Sequence, residues 1–178
     1  MSKDRRGFTL LELMVVLTII AILAALIAPR VFNNIQYGKQ IGTIRDIKTI
    51  ADACLTYAIE HNEAPAVGTQ DGPLTSGNAF IKALSEKILT SCPATDKWGN
   101  PLVVYTGAAV AHFPGFNETM VGKSDFIIVS YGRKGIDEHF VFDPNNRDAG
   151  LFPSSNSMAD YDRNLVNWNG TWIRAPKT

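Results

Sequence analysis

From Phe8 to Ala28 the chain carries only three polar side chains, Thr9, Glu12 and Thr18. As a helix this run would rise about 31 Å, close to the thickness of a bilayer's hydrocarbon core. Beyond Pro29 the pattern changes. Ile41, Ile44, Ile47, Ala51, Cys54, Leu55 and Ala58 recur every three or four residues, the apolar stripe of an amphipathic helix, with Lys39, Arg45, Asp46 and Lys48 on its wet side. A helix continuous from Phe8 to about His61 would span roughly 80 Å. Pro29 lacks an amide donor, so it predicts either a kink around residues 25–29 or the point where the helix leaves the membrane. Gly38 and Gly42 weaken the second half by about 1 kcal/mol each relative to alanine.

After "NEAP" the composition turns loop-like through residue 78. Residues 79–89 place Phe80, Ile81, Ala83, Leu84 and Ile88 at helical spacing and predict a second, short helix. Three segments, 101–105, 125–131 and 139–143, are rich in β-branched and aromatic residues and bounded by Gly, Asp or Asn, which predicts strands. The expected class is α+β: a long amino-terminal helix laid on a small antiparallel sheet, a lollipop in outline. The expected organisation is a basic leader at 1–7, a membrane helix at 8–29, an amphipathic helix at 30–62 and a globular domain at 63–178.

The 178 residues carry 17 basic and 17 acidic side chains, so no global field recruits nucleic acid. Charge matters where it clusters. Lys3, Arg5 and Arg6 precede the apolar run, which by the positive-inside rule keeps the amino terminus in the cytoplasm and puts the rest on the far side. A cleaved secretory signal with its cut near Ala24, Ala25 or Ala28 shares these features. Glu12 opposes that reading, because a carboxylate in hydrocarbon costs a few kcal/mol and is kept for a partner. Cleavage between Gly7 and Phe8 would create an amino group near Glu12, on the same chain or on a neighbouring one, and such a pair would set the register of assembly. His61, His112 and His139 are too scattered for a metal-ligand pattern, and neither a nucleophile elbow nor a phosphate loop occurs. Nothing in the sequence points to an enzyme. Asn117-Glu-Thr and Asn169-Gly-Thr match the glycosylation pattern, a three-residue match that arises easily by chance.

"RRGFTLLELMVVLTIIAILAALIAP" resembles the processing and assembly segment of the type IV pilin superfamily, which includes type IV pilins and the pseudopilins of type II secretion. Gly7, Phe8, Glu12 and Pro29 match in type and spacing. The resemblance implies removal of residues 1–7 by a membrane prepilin peptidase, methylation of the new amino group on Phe8, and neutralisation of a neighbouring subunit's amino terminus by Glu12. "TDKWGNPLVVY" is similar to the turn before the sheet in the major, G-type pseudopilins, the match resting on Asp96, Trp98, Gly99, Asn100 and Pro101. These residues are expected to shape the fold and to do no chemistry.

The same resemblance implies a filament of identical subunits, an inner-membrane assembly platform and minor pseudopilins as partners, and a mechanical role in exporting folded proteins. A surface type IV pilin is the alternative filament. A membrane-tethered binding module that never polymerises is the non-filament alternative. G-type pseudopilins bind calcium near the carboxyl end, where this chain offers Asp137, Glu138, Asp143, Asn145, Asn146 and Asp148. Arg133 and Lys134 stand where that region is usually acidic, so a solvated turn competes with a displaced calcium site built on Asp137, Asp143, Asn145 and Asp148. Cys54 and Cys92 are the only cysteines. On the oxidising side of the membrane they could bridge the helix to the turn before Trp98, worth about 3–4 kcal/mol in the chain-entropy model, or Cys54 could be a small core residue.

Overall fold

The computed structural model describes residues 7–86, 88–155 and 157–177. Helix α1 runs Leu10–His61 and passes through Pro29. The chain divides into two compact units, the first ending at Ile35 and the second beginning at Gln36. In the first unit every described residue as far as Phe32 is exposed, Phe8 to 82%. That surface is all but uniformly apolar.

In the second unit α1 buries Gln40, Thr43, Ile47, Ile50, Ala51, Ala53 and Cys54. The buried face is thus turned from the expected stripe: Leu55 lies at the surface, Ile41 and Ile44 are half-buried, and two polar residues sit inside. The reason is that a polar turn, not apolar side chains, docks on this part of the helix.

Strands β1 (Asp71–Pro73), β2 (Val103–Thr106), β3 (Phe126–Ser130), β5 (Leu165–Trp168) and β6 (Thr171–Arg174) form one antiparallel sheet in the order β1-β2-β3-β5-β6. A short parallel pair joins β4 (Phe152–Pro153) to β7 (Pro176–Lys177). Helix α2 covers Ala79–Ser85, capped by the Asn78 side chain on the Phe80 amide, and ends four residues earlier than expected. There the chain turns so that the amides of Ile88 and Leu89 both donate to the Leu84 carbonyl. A one-turn helix α3 spans Met158–Tyr161.

The expected strands at 101–105 and 125–131 are present as β2 and β3. The expected strand at 139–143 is not. Both edges of β3 are taken, by β2 and by β5, and residues 139–143 form an irregular segment with His139 at φ +54°. Phe140 and Phe142 pack there with Phe113, Phe116 and Trp168. The true partners, β5 and β6, meet at Asn169-Gly170, whose φ values of +48° and +81° suit the tight primed turn that Asn-Gly favours.

The sheet is covered on both faces. Val104, Phe126, Ile128 and Leu165 face α1 with Ile47, Ile50, Ala51 and Cys54. Val103, Ile127, Val129, Val166 and Ile173 face the aromatic cluster built by the loops at 107–121 and 140–142. All five residues of β3 are buried in consequence.

Gly132, just past β3, has φ +66°, and a Cβ there would stand 2.6 Å from the Arg163 carbonyl oxygen and 2.7 Å from that of Tyr161. Gly132→Ala is expected to destabilise the protein by about 2 kcal/mol or more, read as a fall in the thermal unfolding midpoint of the full-length chain in detergent.

Candidate functional site

At its start α1 is closed by a reciprocal cap. The Thr9 hydroxyl accepts from the Glu12 amide at 3.1 Å, while Glu12 Oε2 accepts from the Thr9 amide at 2.9 Å and the Thr9 hydroxyl at 3.0 Å. This is a Thr-x-x-Glu capping box, a pattern also visible in the sequence. Glu12 therefore has a local role as well as any role between subunits. Its carboxylate remains exposed, as do Gly7 and Phe8, so the pair expected to be cut and the acid are all reachable. Residues 1–6 of the expected leader lie outside the described residues. The helix is unbroken at Pro29.

The turn at residues 95–101 is the second constellation. Asp96 is 4% exposed, and its Oδ1 accepts from the amides of Trp98 and Asn100, both at 2.9 Å. Its Oδ2 accepts from the Ser130 hydroxyl at 2.8 Å, and Ser130 Oγ in turn accepts from the Gly132 amide. Gly99, at φ +95°, closes the turn in a conformation that suits glycine, and Thr95 bridges Pro101 across its base. Asn100 Nδ2 donates to the Gly132 carbonyl at 2.8 Å.

The same turn grips α1. Trp98 Nε1 donates to Gln36 Oε1 at 2.7 Å, the Lys97 amide donates to Thr43 Oγ1, and Lys97 Nζ meets Asp46 at 2.6 Å. Gln40 Nε2 adds a bond to the Asp160 carbonyl. Asp96, Trp98, Gly99, Asn100 and Pro101 thus stand in one turn whose hydrogen bonds tie α1 to the loop at Gly132. Gln36, Gln40 and Thr43 were missed, since polar residues on a helix read as solvated until a docking turn is known.

Cys54 and Cys92 are free thiols, both buried in the core cluster under the sheet. The expected bridge is not formed; Cys54 packs as a small apolar residue beside Ile50 and Ala51. Burial pushes the Cys54 thiol well up, with Cys92 adding to the effect, and burial pushes Cys92 up to about 11.

The expected calcium ligands do not converge. Asp143 turns back on the Asn145 amide, Asp137 Oδ1 accepts from Asn164 Nδ2 and the His139 amide, and Asp143, Asn145 and Asp148 all lie exposed. Glu138 is held by Arg174 at 2.8 Å. Among the described residues no group of three or more His, Cys, Asp or Glu side chains could hold a metal ion. The residues present do not fit calcium, because protein donors already engage Asp137 and Glu138 while Asp143, Asn145 and Asp148 lie exposed without converging on a common point.

The family model for the prokaryotic N-terminal methylation motif matches residues 2–28. The chain is 35% identical over 104 residues to type II secretion system core protein G of Pseudomonas aeruginosa, across 56% of this chain and 72% of that protein. It is 30% identical over 107 residues to the core protein G of Escherichia coli strain K12, across 58% and 73%. A match to the core protein G of Dickeya chrysanthemi is 23% identical over 181 residues and spans 95% of this chain and 90% of that one. No solved structure matches the chain.

Asp96→Ala would strand two amides and a buried hydroxyl, and is expected to cost about 2–4 kcal/mol; thermal unfolding beside an Asp96→Asn control reads the loss. The raised thiols predict that native protein near neutral pH takes up alkylating reagent only slowly, since the thiolate is the reactive form. Both cysteines should label once the chain is unfolded without reductant, as intact mass would show; a bridged pair would label only after reduction.

Proposed function

The chain belongs to the family of type II secretion system core protein G and is a pilin-like subunit of the secretion pseudopilus, and we propose that it polymerises through α1 to help drive folded proteins out of the cell. The observation that carries this reading is the exposed, almost wholly apolar surface of residues 8–29, interrupted near its start by the exposed acid Glu12. Such a surface is stable only when covered by lipid or by other apolar helices. Its helix is long and apolar enough to cross a membrane. In the precursor, lipid supplies the cover; in a filament, neighbouring copies of α1 do.

In this reading residues 1–7 are removed by a prepilin peptidase between Gly7 and Phe8, and Phe8 is methylated at its new amino group. The membrane segment is 8–29, the amino end faces the cytoplasm, and the folded part stands in the periplasm, in keeping with the basic residues ahead of the apolar run. Cutting after Gly7 leaves Thr9 and Glu12 in place, so the capping box survives maturation. Glu12 Oε2 is then shared between the Thr9 donors of its own helix and the amine of an incoming subunit. Charge pairing in a dry environment supplies direction to a contact that apolar packing alone would leave free to slide. The assembly platform and minor pseudopilins are the expected further partners, and the subunit itself catalyses nothing.

The test is intact mass of the protein extracted from its native membrane, beside Glu12→Ala, with sheared and cell-bound filaments separated. Mature protein should lack residues 1–7 and carry one added methyl group, and Glu12→Ala should be processed but fail to appear in filaments. A cut after Ala28, or none, would overturn the reading.

A further inference from the structure

The loop between β3 and the aromatic cluster, residues 131–139, is fastened by a set of charged contacts that the filament reading leaves unused. Asp162, following α3, receives Arg133 Nε on Oδ1 at 2.8 Å and Arg133 Nη2 on Oδ2 at 3.1 Å, the parallel fork that matches guanidinium to carboxylate. Lys134 Nζ reaches the same Oδ2 at 3.0 Å. Farther along, Glu138 Oε1 collects Arg174 Nε at 2.8 Å, Arg174 Nη2 at 2.8 Å and the Asn164 amide at 2.9 Å. The Arg174 guanidinium also donates to the Gly150 carbonyl and lies over the rings of Phe140 and Phe152. The Arg133 amide completes the seam by donating to the Tyr161 carbonyl at 2.7 Å.

These are not loose surface pairs. The Asp162 side chain is 18% exposed and that of Arg174 only 14%, so their charges are partly withdrawn from water and their geometry is fixed on both sides. Burial by itself would raise the Asp162 carboxyl, but hydrogen bonds from Arg133 and Lys134 outweigh it and hold the group below the ordinary carboxylate range. A calcium ion needs about six to eight oxygens drawn close around it. Here both carboxylates, Asp162 and Glu138, are already taken by protein donors, and a metal would have to displace a forked guanidinium and an ammonium from Asp162. Two positive side chains beside the site repel it further.

We infer that Arg133 and Lys134 on Asp162, with Arg174 on Glu138, hold the 131–139 loop in the place of a divalent cation, so that the fold of this subunit is independent of calcium. The positive charge that closes the loop is covalently part of the chain. It cannot be removed by a chelator, and it is present wherever the protein is folded. This inference does not depend on whether or how the subunit polymerises.

The test uses the full-length chain in detergent. Calcium titration followed by calorimetry should give no saturable binding, and thermal unfolding should give the same midpoint in excess EGTA and in excess calcium chloride. The double substitution Arg133→Ala/Lys134→Ala should lower the midpoint by roughly 5 °C in both solutions, with no recovery on adding calcium. Saturable calcium uptake by the wild type, a midpoint that falls in EGTA, or a double variant as stable as the wild type would each overturn the inference. Should the double variant fail to fold, the two wild-type measurements decide alone, and Lys134→Gln, which keeps the guanidinium fork, supplies the milder perturbation.

Discussion

The Asp96 carboxylate organises the second unit. It is a nearly buried acid, and its oxygens are satisfied by two amides of its own turn and by the Ser130 hydroxyl at the end of β3. That arrangement fixes the turn, and the fixed turn presents Trp98 and Lys97 to α1 and Asn100 to the loop at Gly132. Helix, sheet and loop therefore meet at one side chain. Hydrophobic burial between α1 and the sheet supplies the larger stabilisation, but it is non-directional. The directional bonds from this turn to Gln36 and Thr43, with that of Gln40 to the Asp160 carbonyl, select one rotation of α1 about its axis, and polar Gln40 and Thr43 are buried while Leu55 is not.

Much of this was legible in the chain. The long helix, the second short helix, strands β2 and β3 and the turn from Asp96 to Pro101 follow from periodicity and turn chemistry. The failures have physical causes. Residues 139–143 alternate as a strand should, but a strand also needs a free edge, and β3 has none left; its aromatics bury themselves as a loop layer. β5 and β6 are hidden because Asn167, Thr171 and Arg174 dilute their apolar content, although Asn169-Gly170 between them is a strong hairpin signal. At the amino end Gly7, Phe8, Glu12 and Pro29 stand out through resemblance to the pilin segment, whereas the cap that ties Thr9 to Glu12 is legible at the scale of one turn.

The charged residues teach a related lesson. With 17 residues of each sign the chain has no net field, and composition says nothing about where charges do work. The structure puts Arg133, Lys134 and Arg174 against the carboxylates of Asp162 and Glu138, and Lys97 against Asp46 on the helix. Sequence spacing could flag the oxygen-rich segment after residue 136, but not that Asp162 and Asn164, more than twenty residues on, would fold against it.

The sheet has two dry faces, and this constrains how such a chain can change. Successive residues of β3 belong alternately to the core beneath α1 and to the aromatic core opposite, so a slip of one residue would exchange both sets at once. Strand register is doubly locked. The exposed segment at 143–149 is free of that lock, since lengthening a surface loop carries only a slowly growing entropic cost. Insertions can accumulate there while the helix, the turn and the strands stay in step, so that subunits with differently sized outer layers can share one way of seating the sheet on its helix.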